Sequence, residues 1–178
     1  WVFLSLILLS FQCEDDLNDP IASQDILFAK IYVNNAWGNN LEGWFVDNAG
    51  YVKGFSNQRN PDIDWKEMKD GGFISKANLL HNYLQCDTVL MQIPLPELFE
   101  YYEMIEAASK GSLVETYNQA ADMGQITYYC LNYDPANAQY RFILLNSYGD
   151  WLLENTSSEA VKIFTWMSDY NRIQESKH

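Results

Sequence analysis

An α+β fold, with two antiparallel β-meanders packed against about three helices in a single domain, is what the 178 residues predict. Three observations predict it. Short runs of β-branched and aromatic residues, broken by polar turns, fall in two blocks at residues 26–55 and 125–154. Between and after these blocks, apolar residues recur at three- and four-residue spacing, the period of an amphipathic helix. The connections inside each block are too short for a crossover, so consecutive strands run antiparallel and the helices segregate from them.

Residues 1–12 are set apart from the fold. Val2, Phe3, Leu4, Leu6, Ile7, Leu8 and Leu9 make an uncharged apolar run. It is shorter than the roughly 20 residues a membrane-spanning helix needs, and it has the length of a signal-peptide apolar region. The chain opens at Trp1 without an initiator Met, so a basic segment is expected to precede it. Cys13 follows, then Glu14, Asp15 and Asp16; residues 13–24 read as an acidic, solvated tether. A single globular domain is expected over 25–174.

Within that domain, 26–33 is rich in β-formers, and 43–46 and 51–55 flank the turn Asp47-Asn48-Ala49-Gly50. Asn and Gly tolerate positive φ, so this is a hairpin signal. Residues 57–72 are turn-rich, with Ile63 and Trp65 as anchors to the core. Ser75 is placed to cap a helix carrying Ala77, Leu80 and Leu84 on one side and ending before Cys86; a strand at 88–93 follows. After Pro94, Leu98, Tyr101, Tyr102 and Ile105 share a helix face, while Glu97, Glu100, Glu103 and Glu106 line an adjacent one. Residues 113–121 read as a further short helix. Strands at 125–133 and 139–147 pair around 134–138, and 151–154 adds a third. Thr156-Ser157-Ser158-Glu159 has the form of a capping box opening a last helix whose buried stripe is Ala160, Ile163, Phe164 and Met167.

Composition narrows the function classes. The net charge of −13, with eleven Lys and Arg scattered along the chain, repels phosphate backbones and argues against a nucleic-acid partner. The 6 Trp, 12 Tyr and 9 Phe argue for a packed domain rather than disorder. No phosphate-cradling Gly loop, G-x-S-x-G elbow, H-E-x-x-H or calcium loop occurs, so no cofactor or metal is called for. His81 and Cys86, five residues apart, do not share a helix face and make a poor base and nucleophile. The four Glu at three-residue spacing read as a solvated face. Trp37, Trp44, Tyr51 and Trp65 lie near Asn34, Asn35, Asn39, Asn40 and Asn48, and rings beside amides are what a sugar-binding platform uses; the same rings also suit the core of a meander.

Leu9-Ser10-Phe11-Gln12-Cys13 resembles the lipobox of bacterial lipoproteins, and Cys13-Glu14-Asp15-Asp16 is similar to the export tag of Bacteroidota surface lipoproteins. The residues before Cys13 are bulkier than that family favours. The resemblance implies acylation of Cys13, a membrane partner through the lipid, and an outer-membrane location on the cell surface or periplasmic face. If Cys13 carries lipid, Cys86 and Cys130 remain as a disulfide pair, worth about 3 to 4 kcal/mol in an oxidising compartment, or as two buried thiols. More weakly, Ala121-Asp122-Met123-Gly124, the two following strands and residues 150–166 resemble a module of small exported proteins without assigned activity. The expectation is a non-catalytic, lipid-anchored module that binds a glycan or an envelope protein. The alternatives are a carboxylate-dependent hydrolase of envelope or dietary polymers and a structural subunit.

Overall fold

At the centre of the sheet, β1 (Ile26–Asn34) pairs on one edge with β2 (Asn40–Asp47) and on the other with β7 (Gln125–Asp134). The computed structural model describes residues 23–36, 38, 40–63, 72–118 and 121–175. The leader, Cys13 and the tether as far as residue 22 lie outside these residues, as do Trp37 and Trp65.

On one side of β1, β2 returns as β3 (Tyr51–Ser56) through the predicted hairpin. Asp47 Oδ1 accepts the N–H groups of Ala49 and Tyr51 at 3.0 and 2.8 Å and so shapes the turn. The edge there is β5 (Thr88–Gln92), paired with β3. On the other side, β7 continues into β8 (Gln139–Gly149) and β9 (Trp151–Asn155), and β6 (Leu113–Asn118) pairs with β9 at the far edge. A short strand, β4 (Phe73–Ser75), occupies the start of β8's outer edge, while β9 occupies its end. The order β5-β3-β2-β1-β7-β8-β9-β6 is antiparallel throughout, so the two predicted meanders are halves of one sheet.

Both faces of this sheet are covered. Neighbouring residues point to opposite faces of a strand, and Trp44 and Phe45, Tyr128 and Tyr129, and Ile143 and Leu144 divide between two apolar clusters. The first is covered by α2 (Leu95–Tyr102), the single turn α3 (Ile105–Ala108) and α4 (Ser158–Glu175), through Leu98, Ile105, Ile163 and Met167. The second is covered by α1 (Lys76–Leu84) through Leu79 and Tyr83, with Ile63 and Ile74. Burial on two sides explains the continuous apolar runs in β7 and β8, since there is no solvent face to require alternation. Each large side chain so buried contributes roughly 1.5 to 3 kcal/mol.

Several expectations need correction. Residues 113–118 are strand, not helix: Leu113, Val114, Thr116 and Tyr117 suit a pleated edge, and β9 supplies the backbone partners. In α1 the buried side chains are Leu79, Asn82 and Tyr83, while Leu84 is 77% exposed. The predicted Ser75 cap is present, accepting from Asn78 N–H at 3.2 Å, but Tyr83 donating its hydroxyl to Asp47 fixes a different face inward. The last helix is capped one residue later than predicted. Ser157 Oγ accepts from Ala160 N–H at 3.1 Å, and Thr156 Oγ1 instead accepts from Ser112 N–H, fastening the start of β6. The stripe of Ala160, Ile163 and Met167 is buried as expected, joined by Trp166.

Candidate functional site

The anticipated aromatic platform does not assemble among the described residues. Trp44 is 6% exposed and sets its ring edge-on to Tyr128 at 6.4 Å, because a side chain on a strand covered on both faces has only core to enter. With Trp166 and Tyr170 it lines an apolar crevice of about 10 Å³, room for about one water. Tyr51 is 40% exposed at the other end of the hairpin, and Trp37 and Trp65 lie outside the described residues.

Nor do the two inner cysteines form a bridge. Both are free thiols, Cys86 in the cluster beneath α1 and Cys130 in the cluster on the opposite face, so the sheet stands between them. Burial pushes the Cys86 thiol up to about 12 and raises Cys130 further, which keeps both protonated and unreactive. His81 is exposed while Cys86 is buried, with its sulfur 3.6 Å from Asn82 O.

One of the four glutamates is not simply solvated. Glu97 accepts from Trp166 Nε1 at 2.9 Å and from the Tyr170 hydroxyl at 2.6 Å, tying α2 to α4. Tyr101 stacks on Trp166 at 4.2 Å between centroids. This is a structural clamp at a helix interface.

An open pocket of about 430 Å³ lies at the end of the sheet where β1 and β8 finish and β7 begins. Asn34, Asn35, Asp122, Gly124, Gln125 and Asp150 contribute to its walls. Asn34 is 5% exposed; its amide donates to the Tyr32 hydroxyl at 3.0 Å and to Asp122 O at 3.4 Å, while its Oδ1 accepts from Ala36 N–H. Asp150 Oδ1 accepts from Met123 N–H at 2.9 Å, and Asp150 N–H donates to Gly124 O at 3.0 Å. Gln125 is held at three points: Nε2 donates to Ser147 Oγ at 2.6 Å and Trp151 O at 2.7 Å, and Oε1 accepts from Trp151 N–H at 3.0 Å. Thr127 and Ser147 share a further bond at 2.7 Å behind it.

Two glycines set the backbone of this pocket. Gly124 (φ 79°) and Gly149 (φ 136°) adopt conformations that side-chain-bearing residues rarely adopt. A β-carbon on Gly124 would stand 2.7 Å from Val33 O, so the 121–124 turn lies flush on the end of β1. Walls fixed in this way bind without first having to be ordered.

The described residues begin at the other end of β1, its entry end. Gln24 and Asp25 are bound there. Gln24 Nε2 donates to Leu131 O at 2.7 Å, and Gln24 Oε1 accepts from Tyr133 N–H at 3.0 Å. Asp25 pairs with Lys76 at 2.7 Å and accepts from the Tyr140 hydroxyl at 3.1 Å; the bond to Asp25 raises the Lys76 pKa. A second polar groove, with Tyr102, Glu103, Glu106 and Asn132, lies at this entry end.

Among the described residues no group of three or more His, Cys, Asp or Glu is placed to hold a metal ion, and no helix is long and apolar enough to cross a membrane. Comparison of the chain with family models, curated proteins and solved structures gives no match, so fold and site stand on this chain's own geometry.

Proposed function

We propose that the chain is a lipid-anchored protein of the bacterial outer membrane, tethered through Cys13, whose domain is a non-catalytic binding module for a glycan or an envelope protein. The observation that carries this reading is the polarity of the sheet. The chain enters at Gln24–Asp25, and the 430 Å³ pocket lies at the other end of the nine-residue β1, about 30 Å away at roughly 3.3 Å per residue. A domain held from its entry end by a lipid presents such a pocket away from the bilayer. The acidic run Glu14-Asp15-Asp16 beside the acylation site supports export, and the net charge of −13 suits a solvated surface protein.

A hydrolase is the second reading, and it has one observation in its favour: Asp122 and Asp150 share the pocket. Against it, Asp150 already uses Oδ1 to hold the Met123 amide, the role of a turn fastener.

Metabolic labelling with an alkyne-tagged palmitate in a bacterium with lipoprotein processing tests the anchor. The full chain acquires label and fractionates with membranes, and Cys13→Ser abolishes both. An unlabelled chain with residues 1–12 retained contradicts the reading. Asp150→Asn tests the second reading: a hydrolase turns over a polysaccharide and loses that turnover in the variant, whereas a non-catalytic module shows no turnover in either form.

A further inference from the structure

We infer that the domain is a tension-bearing link, in which pull on the chain at Gln24 is taken up in shear along β1 and passed to the far end of the sheet. The geometry stands on the described residues alone. It rests on the proposed lipid tether only for the source of the pull.

The chain enters the sheet at its middle. β1 has β2 along one edge, from Ile26↔Asp47 to Asn34↔Asn40, and β7 along the other, from Phe28↔Cys130 to Val33↔Gln125. Hydrogen bonds in antiparallel pairs lie perpendicular to the strands. Pull along β1 from its first residue therefore strains them together, whereas pull across the sheet opens one pair after another. An edge strand has one partner to slide past, and β1 has two. Ile26, Leu27, Phe28 and Ala29 are fully buried, divided between the two apolar clusters, so sliding β1 toward its entry end also draws their side chains out of both.

The first residues to feel the pull are fastened on their own account. Gln24, 5% exposed, continues the β1–β7 ladder with its side chain, through Leu131 O and Tyr133 N–H, and Nε2 also donates to Ile26 O at 3.0 Å. Asp25 reaches three further elements. Its N–H donates to the Tyr140 hydroxyl on β8 at 2.9 Å, its carbonyl accepts from Asn48 N–H in the β2–β3 turn at 3.0 Å, and its carboxylate holds Lys76 at the start of α1. Ties to β7, β8, a turn and α1 hold the strand end at the point where peeling would begin.

The test is single-molecule pulling on the full, unacylated chain. Cys13 is one handle, and the second is an exposed position changed to cysteine, Met123→Cys at the far end or Ala136→Cys at the entry end. Handles at 13 and 123 draw β1 and β7 past each other, whereas handles at 13 and 136 part them from one end. The first geometry is expected to need about twofold more force or higher, because forced unfolding follows the barrier to unfolding and here every bond breaks together. Gln24→Ala lowers the force between 13 and 123 and leaves the force between 123 and a C-terminal handle unchanged, which separates a role in tension from general destabilisation. Equal forces in the two geometries, a low-force step that frees β1 before the rest of the sheet, or a Gln24→Ala chain that loses force equally from both pairs of handles or from neither overturns the inference. Palmitate labelling of Cys13 is read separately. An unlabelled chain with direction-dependent force rejects the lipid tether and leaves the shear geometry standing, and a labelled chain without it rejects this inference alone.

Discussion

A β-carbon on Gly149 would stand 2.0 Å from the carbonyl oxygen of Gly124, so the end of β8 and the turn before β7 touch backbone to backbone. Neither atom belongs to a flexible side chain that can move aside. Gly149→Ala is therefore expected to destabilise the fold by about 2 to 4 kcal/mol, from overpacking together with an unfavourable φ. Urea denaturation measures this. A change below about 0.5 kcal/mol contradicts the close approach.

Glu97 joins two helices through the indole of Trp166 and the hydroxyl of Tyr170. Removing the carboxylate leaves two partly buried donors without it, so Glu97→Ala is expected to cost about 2 kcal/mol, and Tyr170→Phe, which deletes a single bond, about 1 kcal/mol. Denaturation midpoints of the two variants check the order.

The corrected helix cap gives a pair of opposed outcomes. Ser157→Ala removes the acceptor for Ala160 N–H and is expected to cost about 1 kcal/mol, whereas Ser158→Ala, whose hydroxyl meets only Glu159, stays within about 0.5 kcal/mol of the parent. Equal effects of the two variants would contradict a cap at Ser157.

Buried acids make the fold sensitive to alkali. Cys86 titrates near 9.0 when unperturbed and about 12 in the fold, and Tyr170 moves from 10.0 to about 12; burial is the leading cause in both, with Glu97 adding to it at Tyr170. Because the folded pKa values are the higher ones, the unfolded chain loses these protons first. Stability is fully present below about pH 9 and declines as pH rises from 9 toward 12. Melting temperatures across that range check the sign. In the Cys13→Ser chain at pH 8, a thiol reagent is expected to find Cys86 and Cys130 only after unfolding, as two thiols rather than a bridge.

What the sequence makes legible is whatever is local. The turn at 47–50, the strands on either side of 134–138 and the stripe of α4 are each carried by a few adjacent residues, and all stand in the fold. Short segments were harder, since an apolar run such as 113–118 suits helix or strand until β9 is there to pair with it. Trp44 read first as core and second as platform, and the depth of its burial belongs to the second covered face of the sheet, which no local pattern announces. The pocket is the extreme case. Asn34, Asp122 and Asp150 meet only because β1, β7 and β8 are neighbours, and the signal available beforehand was slight: Gly124 and Gly149, each two or fewer residues from one of those aspartates, at the two ends of strands.

The most direct test of the account is a two-dimensional amide NMR titration of the chain with an oligosaccharide that binds. Binding at the far end of the sheet predicts shift changes concentrated at residues 33–36, 121–125 and 149–151, with the entry end around Gln24, Tyr51 and Glu103 unmoved. Changes centred on that entry end, with residues 121–125 silent, would contradict it.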